Sequence, residues 1–222
     1  SAEHGFVSML PLSENRIFAV WLDGRNTKNG HSDNHDSHDD HGHGGGAMSL
    51  RTAEFDFGGN LFAEAELDSR ICDCCQTDAA KTDEGVVVVY RDRSEEEVRD
   101  ISIVRKINNR WTVPKPVHTD GWKIAGCPVN GPAVAAAGNS VAVAWFTGAG
   151  DSTRVQISFS ENGGENFQKP FRVDEGDPVG RVDLLYFSKG KFLVSWLENT
   201  GDSAAIKIAV FSKKGKIGDS RT

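Results

Sequence analysis

Short apolar runs, separated by polar and glycine-rich stretches, follow one another along the whole chain. Many of these runs are rich in Val, Ile, Phe and Trp and alternate with polar positions, as in "TRVQISFS" and "KFLVSW". Alternation with a period of two, in β-branched and aromatic residues, predicts strands. No long segment keeps the 3.6-residue period of an amphipathic helix. The pattern therefore predicts an all-β fold.

A strand that ends in an aromatic residue recurs at Trp21, Tyr90, Trp145 and Trp196, with intervals of 69, 55 and 51 residues. The first interval is longer because it contains a His-, Asp- and Gly-rich insert over residues 26–47. Further strand-like segments flank each aromatic strand, so that a four-strand unit repeats about every fifty residues. Such a repeat predicts a β-propeller of four-stranded antiparallel blades. The predicted blades cover about residues 3–69, 70–124, 125–176 and 177–222, and the fourth lacks its last strand.

One turn makes the resemblance to a known superfamily specific. In "SFSENGGENF" the residues Ser160, Asn162, Gly164 and Phe167 fit the Asp-box pattern Ser-x-Asp-x-Gly-x-x-aromatic, with Asn in place of Asp. The turn falls between the third and fourth predicted strands of its blade, as in the sialidase-like (BNR/Asp-box repeat) propellers, which nearly the whole chain resembles. The resemblance implies six blades, so we expect a fragment of a larger propeller, because an open sheet edge is a liability. The alternative is that four blades close by themselves.

Charge and hydropathy narrow the classes of partner. The net charge of −7 disfavours binding of nucleic acid through its phosphates. No apolar run approaches the roughly 18 residues that a membrane-spanning helix needs. An acidic, cysteine-containing β protein is typical of the periplasm or the cell exterior, and we expect that location.

Antiparallel connectivity places the chemically interesting segments on one face of the propeller. The insert 26–47 follows the second strand of the first blade, and Cys72, Cys74 and Cys75 lie in the loop that leads into the second blade. Cys127 lies in the loop that leads into the third blade. Cys72 and Cys127 each precede the aromatic residue of their blade by eighteen residues. Loops of both kinds emerge on the same face, opposite the Asp-box turn, and in sialidase-like folds this is the functional face.

The four cysteines allow three interpretations. Their spacing is unlike the usual paired Cys-x-x-Cys zinc sites, which favours disulfides over metal ligation or inert thiols. A bridge from Cys127 to one of Cys72, Cys74 and Cys75 would join neighbouring blades, whereas a bridge between Cys74 and Cys75 would be strained. The sequence does not choose among the three full pairings.

The insert is a candidate metal-binding segment. Imidazoles with nearby carboxylates suit zinc or copper, and the candidate ligands are His31, His35, His38, His41 and His43. The alternatives are a solvated glycine-rich loop with no role and a specific functional site.

The resemblance to sialidases implies an arginine triad for the sugar carboxylate, a tyrosine nucleophile paired with Glu, and an Asp acid/base. The family's Arg-Ile-Pro motif is absent, and Tyr90 and Tyr186 lie in apolar strands where packing is their expected role. The candidate anion-binding residues are Arg25, Arg91 and Arg181, and the candidate proton-handling residues are Asp23, Asp92 and Asp183.

The sequence supports two functional hypotheses. The leading hypothesis is an exo-sialidase or glycan-binding propeller that binds a glycan or an anionic small molecule on the Cys/His/Arg face. The alternative is a non-catalytic metal-binding or protein-interaction propeller that uses the His-rich insert and the cysteines. Whether the protein is an enzyme stays open at this point.

Overall fold

The computed structural model describes residues 3–27 and 46–222, which form four antiparallel sheets. The first sheet contains β1 (His4–Ser13), β2 (Arg16–Asp23), β3 (Met48–Phe55) and β4 (Leu61–Ile71). The second contains β5 (Asp78–Lys81), β6 (Gly85–Arg91), β7 (Ile101–Ile107), β8 (Arg110–Trp111) and β9 (Lys115–Pro116). The third contains β10 (Ala133–Ala137), β11 (Ser140–Thr147), β12 (Arg154–Ser160) and β13 (Phe171–Arg172). The fourth contains β14 (Asp177–Ser188), β15 (Lys191–Asn199), β16 (Ala204–Ser212) and β17 (Gly215–Arg221).

In each sheet the first four strands follow one another in chain order, and neighbouring strands are antiparallel. In the second sheet the short strands β8 and β9 both pair with β7 and together occupy the place of a fourth strand. The first strands of successive sheets contact one another, β1 with β5, β5 with β10, and β10 with β14. These four strands therefore line the inner side of the molecule, and the later strands of each sheet lie progressively outward. This arrangement confirms the predicted all-β propeller of four-stranded blades.

The fourth blade differs from the prediction. Its last strand was expected to be missing, but β17 pairs with β16, with Ile217 opposite Val210 and Gly215 opposite Ser212. The segment "GKIGDSR" has one apolar residue, Ile217, and therefore lacks the pattern that identifies strands buried on one face. An outer-edge strand needs little apolar surface, because it has a partner on one side and solvent on the other.

The core lies between the blades, and the second strand of each blade carries most of it. In β6 the residues Val86, Val88 and Tyr90 pack against the first blade, whereas Val87 and Val89 pack against the third. Both faces of this strand are buried, which explains why "VVVVY" is continuously apolar. The sequence pattern thus reflects a strand sandwiched between two neighbouring sheets.

The inner strands of the first and fourth blades carry exposed apolar side chains. Val7 and Met9 of β1 are exposed, as are Leu185 and Phe187 of β14. In the described residues these apolar side chains are not covered by a neighbouring sheet. Elsewhere in the molecule, apolar side chains of this kind are covered by the adjacent blade.

The Asp-box residues form a tight turn at the end of β12. The hydroxyl of Ser160 donates to Asn162 Oδ1 (2.8 Å) and accepts from the backbone N–H of Gly164 (3.0 Å). Gly164 has a φ of 82°, a left-handed conformation that favours glycine. Phe167 packs against the core between the second and third blades. The turn thereby anchors a side chain at the blade interface.

Within the described part of the chain, no helix is long and apolar enough to cross a membrane.

Candidate functional site

The structure brings the four cysteines together between the second and third blades. Cys74 and Cys127 form a disulfide, with their Cα atoms 6.1 Å apart. The bridge joins the loop between β4 and β5 to the segment between β9 and β10, so it ties the leading loops of two neighbouring blades. Cys72 and Cys75 are free thiols and are buried. Of the four disulfide candidates, two therefore form a bridge here and two do not.

The two free thiols lie against the bridge and against a guanidinium group. The Sγ atoms of Cys72 and Cys75 share a hydrogen bond at 3.3 Å, and Cys72 Sγ lies 3.8 Å from Cys74 Sγ. Arg99 Nη1 donates to Cys72 Sγ at 3.2 Å. The hydrogen bond with Cys75, aided by Arg99, lowers the pKa of Cys72 to about 6 against the opposing effect of burial. The same hydrogen bond, together with burial, raises the pKa of Cys75.

Arg91, a predicted ligand-binding residue, is enclosed by other parts of the protein, and its ligand-binding role stays a prediction. Its side chain is 2% exposed and donates to three backbone carbonyls, those of Asn130 (2.7 Å), Arg99 (2.5 Å) and Phe146 (2.7 Å). Its guanidinium also lies 4.9 Å from the ring of Trp122. Burial lowers the pKa of Arg91. The residue connects two loops to strand β11, and its guanidinium is enclosed by protein.

Asp23, a predicted proton-handling residue, is a buried ion-pair partner of Arg25. Arg25 Nε and Nη2 each donate at 2.9 Å to the two carboxylate oxygens, and Trp21 Nε1 donates at 2.8 Å. Burial alone would raise the pKa of Asp23, but the hydrogen bonds from Arg25 outweigh it and hold the pKa well below its ordinary value. Asp23 therefore stays ionised at physiological pH, which suits a structural ion pair, and its proton-handling role stays a prediction. Arg25 is half-exposed and already occupied by Asp23.

This pairing of an aromatic donor with a carboxylate recurs in each blade. Trp196 Nε1 donates to Glu198 at 2.8 Å, and Trp145 Nε1 donates to Asp120 at 2.7 Å. In the second blade the hydroxyl of Tyr90 donates to Asp68 at 2.6 Å. The aromatic residues that mark the sequence repeat therefore each donate a hydrogen bond to a carboxylate, because a buried indole or phenol needs a hydrogen-bond partner.

Asp92 lies at the interface of the first two blades. Its backbone pairs with Ile71 of β4, and its carboxylate accepts from the hydroxyl of Ser102 at 2.9 Å. Burial, and then the nearby charge of Asp68, raise the pKa of Asp92. Its proposed proton-handling role stays a prediction.

A pair of carboxylates lies on the innermost strands. Asp183 is exposed on β14, the same strand as the exposed Arg181, whose Nη1 donates to the backbone carbonyl of Val129 at 2.5 Å. Asp78 opens β5 and accepts from the backbone N–H groups of Val134 (2.7 Å) and Ala79 (2.8 Å). Burial, assisted by the charge of Asp183, raises the pKa of Asp78 to about 6. Two carboxyl groups from different blades thus interact across the inner side of the propeller.

Asp78 was not among the residues predicted from the sequence. The available signal was a charged residue at the start of a short inner strand, "DAAK". Burial in the folded protein causes most of the shift, and Asp183, about one hundred residues away in the chain, makes a smaller contribution once the propeller is assembled.

The predicted histidine ligands His31, His35, His38, His41 and His43 lie outside the described residues. The described ends of the insert lie close together, since Gly46 approaches the backbone carbonyl of Asn26. Met48 pairs with Ile71, the residue before Cys72, so the insert leaves the fold at the same end as the cysteines.

No protein-family model matches the sequence, and no curated protein sequence matches it. Similarity is found among solved structures. An ulvan lyase of polysaccharide lyase family PL25, bound to -[GlcA(1-4)Rha3S]-, superposes with a TM-score of 0.57 and 12% identity, over 100% of this chain and 53% of the lyase. A structure from the GH130 family, described as containing mannoside phosphorylases and glycoside hydrolases that target β-1,2 mannosidic linkages in Candida mannan, superposes with a TM-score of 0.51 and 13% identity, over 98% of this chain and 70% of that protein.

An α-L-arabinofuranosidase from Podospora anserina in complex with cellotriose superposes with a TM-score of 0.48 and 12% identity. This chain spans 64% of that enzyme and about half of the ulvan lyase. At these identities the likeness to the ulvan lyase and the GH130 structure establishes the fold alone.

Proposed function

We propose that this propeller binds and hydrolyses a carbohydrate at its innermost strands, with Asp78 as the proton donor and Asp183 as the second carboxylate. The observation that carries the proposal is the raised pKa of Asp78, about 6, which arises from burial and from the charge of Asp183 on another blade. A strongly perturbed carboxyl group beside a second carboxylate is a frequent mark of an active site.

The chemistry of glycoside hydrolysis explains why this pair is suitable. The reaction uses two carboxyl groups in different protonation states, one to protonate the leaving oxygen and one to activate water or attack the sugar. Asp78 retains a proton close to neutral pH because its site penalises the charged form. Asp183 is exposed and can approach a sugar ring or a water molecule.

The substrate class that we propose is an anionic glycan. Arg181 is exposed on the same inner strand as Asp183, and a guanidinium binds carboxylate or sulfate groups well. The structurally similar ulvan lyase was solved with a chain of glucuronic acid and sulfated rhamnose, which supports this choice. The Asp-box turn supports the narrower option of a sialidase-like protein, because sialic acid also carries a carboxylate. Both the substrate class and the disulfide suit the periplasm or cell exterior, where we place the protein.

The test is release of sugar from a substrate panel that contains a fluorogenic sialoside, a uronate-containing polysaccharide and a β-1,2-mannoside. On the substrate that the wild type cleaves, Asp78→Asn and Asp183→Asn should each lower kcat by about 10²-fold or more. Arg181→Ala should raise KM for anionic substrates and leave kcat close to the wild-type value. Asp219→Asn, an exposed position on the outer strand β17, is the matched control and should be unchanged.

Two results contradict the proposal. One is a turnover rate that survives both Asp78→Asn and Asp183→Asn. The other is a wild-type protein that neither binds nor cleaves any sugar on the panel.

A further inference from the structure

The four sulfur atoms between the second and third blades have no part in the proposed carbohydrate chemistry. They form a continuous line of contacts, in which Cys75 Sγ lies 3.3 Å from Cys72 Sγ and Cys72 Sγ lies 3.8 Å from Cys74 Sγ. Cys74 is in turn bonded to Cys127. Each sulfur is thus at or near van der Waals contact with the next, a separation short enough for thiol–disulfide exchange.

The surroundings of Cys72 favour the thiolate form. Arg99 donates to its sulfur at 3.2 Å, and the buried guanidinium of Arg91 lies close enough to interact electrostatically with Cys72 and Cys75. Three hydrogen bonds of Arg91 go to neutral backbone carbonyls. A buried cation without a directly bound carboxylate gains from an anion nearby, and the Cys72 thiolate supplies one.

The two ends of the line differ in access to solvent. Cys72 and Cys75 are each 1% exposed, whereas Cys127 is exposed. A thiolate that leaves from Cys127 is hydrated at once, which makes Cys127 the favourable leaving group when Cys74 is attacked.

We propose that the four cysteines form a dithiol–disulfide exchange centre, in which the disulfide moves between the surface pair Cys74–Cys127 and the buried pair Cys72–Cys75. In the first step the Cys72 thiolate attacks Cys74 Sγ, the Cys72–Cys74 bond forms, the Cys74–Cys127 bond breaks, and Cys127 leaves as a thiolate.

In the second step Cys75 gives its proton to the Cys127 thiolate through solvent and attacks Cys72 Sγ. The Cys72–Cys75 bond forms and Cys74 leaves as a thiolate. Two electrons have then moved from the buried pair to the surface pair, and the exchange needs no external oxidant or reductant. It also opens the covalent tie between the leading loops of the second and third blades.

The test captures each thiol as it is released. Oxidised, folded wild-type protein is incubated with excess maleimide, samples are quenched in acid over time, and disulfide-linked peptides are mapped by mass spectrometry. Cleavage before Asp73 separates Cys72 from Cys74 and Cys75. The wild type should accumulate alkylated Cys127 together with peptides in which Cys72 is joined to Cys74 or Cys75.

Two variants separate the steps. Cys72→Ser removes the nucleophile, so capture of Cys127 should be lost and the Cys74–Cys127 bridge retained. Cys75→Ser removes the second attack, so Cys127 should be captured while Cys72 stays joined to Cys74.

The proposal is overturned if Cys127 is captured equally fast in Cys72→Ser. It is also overturned if wild-type Cys72 and Cys75 become alkylated while the Cys74–Cys127 bridge stays intact. Should Cys72→Ser fail to fold, the absence of any peptide joining Cys72 to Cys74 or Cys75 in the wild type and in Cys75→Ser overturns it. None of these readouts involves a carbohydrate, so the outcome is independent of the function proposed above.

Discussion

Replacement of Arg91 by lysine tests whether this residue holds the blades together or binds a ligand. The side chain donates to three carbonyls, those of Arg99 and Asn130 in loops and that of Phe146 in strand β11. A lysine ammonium keeps the charge, but from a single point it can replace at most one of these hydrogen bonds. Each hydrogen bond to a charged group contributes about 1.5–3 kcal/mol, and two buried carbonyls lose their donor. We therefore expect the free energy of unfolding to fall by about 4 kcal/mol.

The assay is thermal and denaturant unfolding of the oxidised protein, followed by circular dichroism. For a chain of this size, a loss of about 4 kcal/mol corresponds to a fall in Tm of about 10 °C. Arg181→Lys is the control, because that side chain is exposed, and its effect should stay within about 0.5 kcal/mol. If Arg91→Lys melts within about 2 °C of the wild type, the structural role assigned to Arg91 is refuted.

Three further predictions follow from other parts of the molecule. Ser160→Ala should lower the free energy of unfolding by about 1–2 kcal/mol, measured by urea denaturation, because the turn at Gly164 loses its acceptor; an unchanged midpoint would contradict this. The pKa of Asp78 rises from 3.8 to about 6 on folding, so the folded state binds the proton more tightly. That stabilisation is complete below about pH 4 and is lost as pH rises through about 6. Between pH 4 and pH 6 the unfolding free energy of the wild type should therefore fall by up to about 3 kcal/mol relative to that of Asp78→Asn. Deletion of residues 31–43 should abolish weak zinc or copper binding by tag-free protein in equilibrium dialysis, and equal binding by both proteins would contradict the assignment of the metal to the insert.

The fold could be predicted largely because the blades share a physical pattern. The run Val86–Tyr90 is apolar throughout because both faces of β6 are buried, and Trp145 and Trp196 occupy corresponding places in the next two blades. The strand β17 was missed because an outer strand is selected for backbone pairing, with little need for apolar side chains. The local sequence therefore reveals strands that are buried on both faces, but it does not reveal an outer strand that is held mainly by backbone pairing.

The candidate site was harder to predict because burial and charge arise from distant segments. Arg25 and Arg91 follow equivalent aromatic residues, yet Arg25 is half-exposed, whereas Arg91 is enclosed by two loops and strand β11. The disulfide partner of Cys127 is decided by which of the three neighbouring cysteines its loop approaches. The pKa of Asp78 is raised only when folding buries its carboxyl group, and the charge of Asp183 in the fourth blade adds to the effect. Periodicity places such residues on a face, but their protonation depends on packing.

The most direct test of the account is a pH titration of the Asp78 carboxyl carbon by ¹³C NMR, in the wild type and in Asp183→Asn. We predict a midpoint near pH 6 in the wild type, and a lower midpoint in the variant, because the charge of Asp183 contributes to the raised value. A midpoint near the ordinary aspartate value of about 4, unchanged by Asp183→Asn, would contradict the claim that the inner strands hold a paired acid and carboxylate.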